Sequence, residues 1–177
     1  MARKRATEWQ CPFVILVDTR EQKPFDFKGL YTDKKGGTLP IIVTTAPERL
    51  ETGDYSIAGE QSIICIERKS PEDLIKTLTR RRNDFFDELR RMRSFKQAAI
   101  VVEAGFGPVL DLVPHISKTN AKSIGRTILA IQQDYPTIQW AFMPSRDFAM
   151  RYTFQFLKRY HQRKGKHDNL HECELPS

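Results

Sequence analysis

Several things are scarce or missing in this sequence of 177 residues. Cysteine occurs only as Cys11, Cys65 and Cys173, an odd and widely spaced set that builds no disulfide framework, so a reducing intracellular setting is expected over secretion. No apolar run approaches the ~18 residues needed to cross a bilayer. The N-terminus starts basic, Met1-Ala2-Arg3-Lys4-Arg5, but continues into Trp9, Gln10 and Cys11 where a signal peptide would have its apolar core. Internal repeats, low-complexity tracts and Ser/Gly linkers are absent, which favours one domain over several. There is no Gly-x-Ser-x-Gly and no Walker pattern, which removes ordinary serine-hydrolase and P-loop chemistry. Gly105-Phe106-Gly107 lacks the third glycine of a dinucleotide fingerprint, with Leu110 in its place and Pro108 intruding, and reads as a turn into a helix. His161, His167, His171 and Cys173 fall in a polar C-terminal stretch without the paired spacing of a zinc site.

What is present is an apolar fraction of 40% beside 29% charged residues, enough for a core without staples. The net charge of +7 calls for a polyanionic partner, and its placement says more than its sum. Between Lys76 and Lys96 stand Arg80, Arg81, Arg82, Arg90, Arg91 and Arg93, against only Asp84, Asp87 and Glu88. A second cluster, Lys158, Arg159, Arg163, Lys164 and Lys166, contains no acid. Such runs serve either as solvated helix faces or as phosphate contacts for nucleic acid. The expected organisation is a basic arm over 1–12, one domain over 13–162 and a polar tail over 163–177.

Phe13 to Val17 is a fully apolar run that predicts a buried strand ending at Asp18. Gln22 to Gly37 is polar and broken by Pro24, Gly29, Gly36 and Gly37, and reads as a loop. Leu39 to Thr45 predicts a second strand, and Tyr55–Ala58 and Ser62–Lys69 a hairpin about Gly59-Glu60-Gln61. Ser70-Pro71-Glu72-Asp73 starts a helix, with a capping Ser, Pro at the first helical position and acids in the first turn. Phe85, Leu89 and Met92 mark the next helix, with the arginine run at the junction. Ala98–Val102 then predicts a strand, Ile124, Ile128 and Ile131 mark a helix that stops before Pro136, Thr137–Met143 predicts a strand, and Phe148 to Tyr160 mark a last helix that frays once the chain turns polar. Strand, helix, strand, helix in the second half gives an α/β fold with a partly parallel sheet. The last helix is aromatic on more than one side, which suits a dimer surface as well as a core.

Gly53-Asp54 and, on the next strand, Glu67-Arg68-Lys69 are the most informative residues. Alternation puts Glu67 and Lys69 on one face and Arg68 on the other. The hairpin returns Asp54 beside Glu67, and Asp18 reaches the same sheet edge. Carboxylates converging with one ammonium suit a hard divalent cation such as Mg²⁺, which takes oxygen ligands and substrate phosphate, with the lysine stabilising developing charge. Each residue also has a plainer reading: Gly-Asp as a turn, Glu67 and Lys69 as a cross-strand pair, Asp73 as part of a capping box with Ser70. Charges at the end of a strand as apolar as Ile63-Ile64-Cys65-Ile66 nevertheless require a reason.

Gly53-Asp54, Glu67-Arg68-Lys69 and Asp73 together resemble the signature of the XPF nucleases, the ERCC4-type domain. Val17-Asp18-Thr19-Arg20-Glu21 is similar to that family's Val-Asp-x-Arg-Glu segment. Asp73-Leu74-Ile75, Thr77-Leu78, Arg82, Val101-Val102-Glu103 and Tyr135-Pro136 extend the likeness over most of the chain. The resemblance implies a restriction-endonuclease-like (PD-(D/E)xK) mixed sheet flanked by helices, and Mg²⁺- or Mn²⁺-dependent cutting of branched, forked or flapped DNA in repair or recombination. It implies metal binding by Asp54, Glu67, Asp73 and Asp18, with Lys69 assisting the attack. Arg68, Arg20, Glu21 and Arg82 become active-site supports. Arg80, Arg81, Arg82, Lys158, Arg159, Arg163 and Lys164 are the expected DNA contacts, and a homodimer through the C-terminal helix is expected. Neither the helicase nor the tandem helix-hairpin-helix sequences common in that family are found here. The stand-alone size looks more like a bacterial or phage member, acting at the nucleoid, than a nuclear eukaryotic one. Two alternatives stay open: a non-catalytic DNA-binding or scaffold subunit, and a mismatch- or sequence-directed nuclease on the same fold.

Overall fold

The computed structural model describes residues 7–32 and 38–171. Residues 1–6 of the basic arm, Cys173 and the side chains of Lys166, His167 and His171 lie outside what it describes. Six strands form one mixed sheet: β1 (Trp9–Asp18), β2 (Ile41–Glu48), β3 (Tyr55–Ile57), β4 (Ile64–Lys69), β5 (Gln97–Val102) and β6 (Ile138–Phe142), in the order β2-β1-β3-β4-β5-β6. β2 runs parallel to β1, and β4, β5 and β6 are mutually parallel. Short β3 joins the two parallel blocks by pairing antiparallel to β1 and β4.

The helices are α1 (Pro71–Thr79), α2 (Arg82–Met92), α3 (Phe106–Ile116), α4 (Ala121–Asp134) and α5 (Arg146–His171). Alternation along β4 divides the core. Ile64 and Ile66 enter the layer under α5 with Phe13, Tyr55 and Phe154, whereas Cys65 enters the layer under α1–α4 with Leu74, Phe85, Leu89 and Ile128. β4 and β5 are buried on both faces, which explains their unbroken apolar runs.

The helix start at Ser70 forms as its sequence dictates: the side chain accepts from the Asp73 N–H at 3.1 Å, with Pro71 following. Three boundaries depart most from the sequence expectation. β1 begins at Trp9, before the apolar run, because Trp9 and Gln10 pair with Ile41 and Ile42; the register shifts between Gln10 and Val14, around Pro12, which has no N–H to give. β2 extends through Pro47, which an edge strand tolerates. α5 continues beyond Tyr160 to His171, and Glu60, in the turn before β4, holds it there by accepting from Tyr160 Oη at 2.8 Å and pairing with Lys164. The loop after β1 is pinned by Phe25 and Phe27, whose rings pack on buried Tyr55, while Tyr55 Oη accepts from the Phe25 N–H at 2.8 Å.

Candidate active site

Asp18, Glu67 and Lys69 lie at the C-terminal ends of β1 and β4, and Asp54 immediately precedes β3 between them. Gly53 makes this juxtaposition possible. Its φ is +83°, and a Cβ there would stand 3.0 Å from the Ile66 carbonyl oxygen and 3.2 Å from Cys65 Cβ. Asp54 is then fixed by backbone on both sides: its N–H donates to Ile66 O at 2.8 Å, and its carbonyl accepts from the Asp18 N–H at 2.8 Å. Its Oδ2 accepts from the Arg68 N–H at 2.7 Å.

The resulting cavity, of about 140 Å³, has Asp18, Asp54, Glu67 and Glu88 among its walls, with Arg20 and Arg91 also lining it. Burial raises the Asp54 carboxyl to about 7, the Glu21 charge adds to the rise, and the Arg68 N–H and the Lys69 and Arg68 charges oppose it. Glu67 is raised well above the usual carboxylate range, first by burial and then by Asp54. Half-buried Asp54 and buried Glu67, which resist ionising side by side, form a donor set short of positive charge. Lys69 supplies part of it: its ammonium pairs with Glu67 and lies 3.5 Å from Glu88 Oε2, 3.9 Å from Asp73 Oδ2 and 5.7 Å from the Phe85 ring centre. Burial works against the Lys69 charge, but Glu67 and Glu88 raise its pKa, so it remains an ammonium and stabilises negative charge.

The remaining sequence-derived residues divide between the cavity and its supports. Asp18 is buried with both oxygens engaged: Oδ1 accepts from Arg20 N and Nε at 2.7 Å each, and Oδ2 from Arg20 Nη2 at 2.9 Å and Leu50 N at 2.8 Å. Burial opposes its charge, but the Arg20 hydrogen bonds hold it below the usual carboxylate range. Asp73 is 41% exposed, stands outside the cavity walls and pairs with Arg81. Arg68 projects to the opposite face, where its guanidinium donates to Glu21 at 2.8 and 2.9 Å and lies 3.1 Å from Glu103. Arg146, at the start of α5, continues this chain by pairing with Glu103 and donating to Lys23 O at 2.6 Å.

Of the expected DNA contacts, Arg80 and Arg82 are exposed at the α1–α2 junction, with Arg82 over the Phe86 ring at 5.3 Å. Lys158 instead lies over the rings of Trp9 and Phe154, at 5.4 and 5.8 Å. Arg159, Arg163 and Lys164 gather at the far end of the sheet. His161 packs on Phe13, with ring centres 5.0 Å apart. Among the described residues no three His, Cys, Asp or Glu side chains form a ready-made metal cage.

Glu88 is the site residue that sequence reasoning missed. In the sequence it reads only as an acid offsetting neighbouring arginines. Its signal was its position on α2, three residues after Phe85 and four before Met92, which puts a carboxylate on the core-facing side of an amphipathic helix. Arg91, one turn on, donates to Thr52 Oγ1 at 3.0 Å and ties α2 to the Gly53-Asp54 turn.

The sequence matches the ERCC4 domain over residues 17–156. Among solved structures the chain is similar to XPF from Aeropyrum pernix, at 21% identity and a TM-score of 0.61, covering 89% of this chain and 69% of that one. It is also similar to XPF from Aeropyrum pernix in complex with DNA, at 22% identity and a TM-score of 0.61, covering 85% of this chain and 66% of that one. No curated protein sequence matches it. The mixed six-stranded sheet with helices on both faces is thus a restriction-endonuclease-like fold.

Proposed function

Because this chain belongs to the ERCC4 domain family, we propose that it is a divalent-cation-dependent DNA endonuclease acting on branched, forked or flapped DNA in repair or recombination. The observation that carries the proposal is the pair of carboxyls, half-buried Asp54 and buried Glu67, held at one end of the sheet beside the Lys69 ammonium. Hard oxygens in a cavity short of positive charge fit Mg²⁺ or Mn²⁺, and Asp54 and Glu67 would hold the ion, with Asp73 close enough to Lys69 to complete the acidic rim. When bound, such an ion neutralises a phosphodiester and lowers the pKa of water.

The chain's own residues would do the rest. Lys69, kept charged by Glu67 and Glu88, faces negative charge developing on phosphorus-bound oxygens. Glu88 holds that ammonium from the α2 side. Asp18 with Arg20 fixes the end of β1, and Arg68 with Glu21 and Glu103 fixes β4 from behind, so both are positioning residues. Arg80, Arg81 and Arg82, exposed beside the site, would bind backbone phosphates and orient the strand. The DNA complex of the similar Aeropyrum pernix protein supports DNA as the polyanion. The chain would pair with itself through the start of α5, where Phe148 is 53% exposed, and light scattering on the purified protein reads this directly.

The test incubates labelled flap, fork, duplex and single-stranded DNA with the protein and Mg²⁺, Mn²⁺ or EDTA, beside Asp54→Ala and Lys69→Ala. Cleavage should need the cation and fall at least about 100-fold in both variants, the scale of losing one preorganised charge-stabilising group. Cleavage by both variants at the wild-type rate would overturn the assignment. Binding without any wild-type cleavage would favour the non-catalytic subunit.

A further inference from the structure

A second cavity, of about 460 Å³, lies at the other end of the sheet. It is bounded by the starts of β5 and β6, at Gln97 and Gln139, by Lys96 before β5, and by Phe156, Arg159 and Arg163 of α5. From Ile64 to Lys69, β4 spans roughly 17 Å at ~3.3 Å per residue, so this cavity is remote from the candidate active site.

Its charge is unbalanced. Glu60, at its edge, is already satisfied by Tyr160 Oη and Lys164. Among the described residues no salt bridge pairs Lys96, Arg159 or Arg163 with an acid. Arg159 and Arg163 are one turn apart on α5, a like-charge spacing that weakens a helix, and Lys96 adds a third cation from the facing loop. Folding gains nothing from that arrangement, whereas an anionic ligand would. The cations are set among two side-chain amides, Gln97 and Gln139, and the half-buried ring of Phe156. Phosphate alone uses the cations. A base that can turn its face to a ring and its edge to an amide uses the remainder, and only unpaired nucleotides offer that, because in a duplex the faces are stacked.

We propose that this cavity binds a single-stranded segment of DNA, so that the chain grips an unpaired strand at one end of its sheet while the candidate active site lies at the other. The inference rests on DNA as the substrate proposed above and adds where an unpaired strand is held.

The test measures fluorescence anisotropy of a labelled twelve-residue oligo-dT, its abasic counterpart and a blunt duplex in EDTA, across a salt series. The proteins are the wild type, Arg159→Ala/Arg163→Ala, Lys96→Glu and Phe156→Leu, with melting curves confirming that each is folded. The double variant should bind oligo-dT about tenfold more weakly and reduce the magnitude of the log–log salt slope by about 1.4, since each single-strand phosphate contact contributes ~0.7. Duplex affinity should stay within about twofold. Wild type should prefer oligo-dT over the abasic strand, and Phe156→Leu should reduce that preference. Equal losses for oligo-dT and duplex, no loss at all, or equal wild-type binding of abasic strand would each overturn the proposal. If the variants lose oligo-dT while the wild type cuts no DNA, the nuclease reading falls and this site stands. If the wild type cuts and the double variant binds oligo-dT normally, this site alone falls.

Discussion

Replacing Asp54 by Asn tests whether the candidate site is built against its own stability. The folded-state pKa of Asp54 is about 7, against 3.8 for the free side chain. A raised carboxyl contributes stability that is fully present below the unfolded value and lost as pH rises through the folded one. In metal-free protein almost all of that loss above pH 5.5 comes before pH 8. Integrating the bound proton over this window gives about 1.5 pK units, or about 2 kcal/mol at 1.36 kcal/mol per unit. For a chain of this size that is a fall of roughly 4–8 °C in melting temperature. Asp54→Asn keeps the shape, removes the charge and relieves Glu67 of its repulsion, so its melting temperature should change much less over the same window. Mg²⁺ should recover the wild-type loss at pH 8, have little effect at pH 5.5, where binding must expel a proton, and do little for the variant at either pH. The assay is differential scanning fluorimetry in EDTA and in Mg²⁺ at pH 5.5 and 8, with guanidinium melts to convert temperature into free energy. Equal pH slopes for wild type and variant in EDTA would refute the reasoning, because the carboxyl would then ionise at no cost.

Arg68→Met leaves Glu21, whose side chain is 4% exposed, buried without its guanidinium partner, while Glu103 keeps Arg146. Breaking such a pair costs roughly 3–5 kcal/mol, to be read from denaturant melts, and a loss under ~1 kcal/mol would show that the chain of charges behind β4 does not hold it. Gly53→Ala forces a Cβ to within 3.0 Å of Ile66 O at a φ of +83°. It should destabilise the protein by roughly 1–3 kcal/mol and weaken the Mg²⁺-dependent rise in melting temperature, and an unchanged response to Mg²⁺ would show that Asp54 does not depend on the turn.

The faces of the fold were legible before any coordinates because they follow from local rules. Alternation along Ile64-Cys65-Ile66-Glu67-Arg68-Lys69 places Glu67 and Lys69 together and turns Arg68 away, as the structure has them. Ser70-Pro71 announces α1, and the apolar runs of β4 and β5 announce strands covered on both sides. Partners were not legible, since they depend on how separate elements pack. Nothing near Asp18 indicates that Leu50 N–H, 32 residues away, takes one of its oxygens. Glu88 joins Lys69 only because α2 folds back over β4, and Lys158 leaves its basic neighbours because Trp9 lies beneath it. The length of α5 was hidden for the same reason, as its anchor, Glu60, is 100 residues from Tyr160.

The two-sided character of β4 has a consequence for which changes the gene can accept. Glu67 and Lys69 serve one face and Arg68 the other, so deleting or inserting a single residue in β4 would exchange them, sending a guanidinium into the carboxyl cavity and an acid beneath α5. A substitution in this strand disturbs one face at a time, whereas a one-residue change of length disturbs both at once. Gly53, pressed against the Ile66 carbonyl, acts as a stop that fixes where β4 lies against the Asp54 turn. Drift in this region is therefore expected to proceed by replacement, with length variation confined to the loops beyond the strand ends.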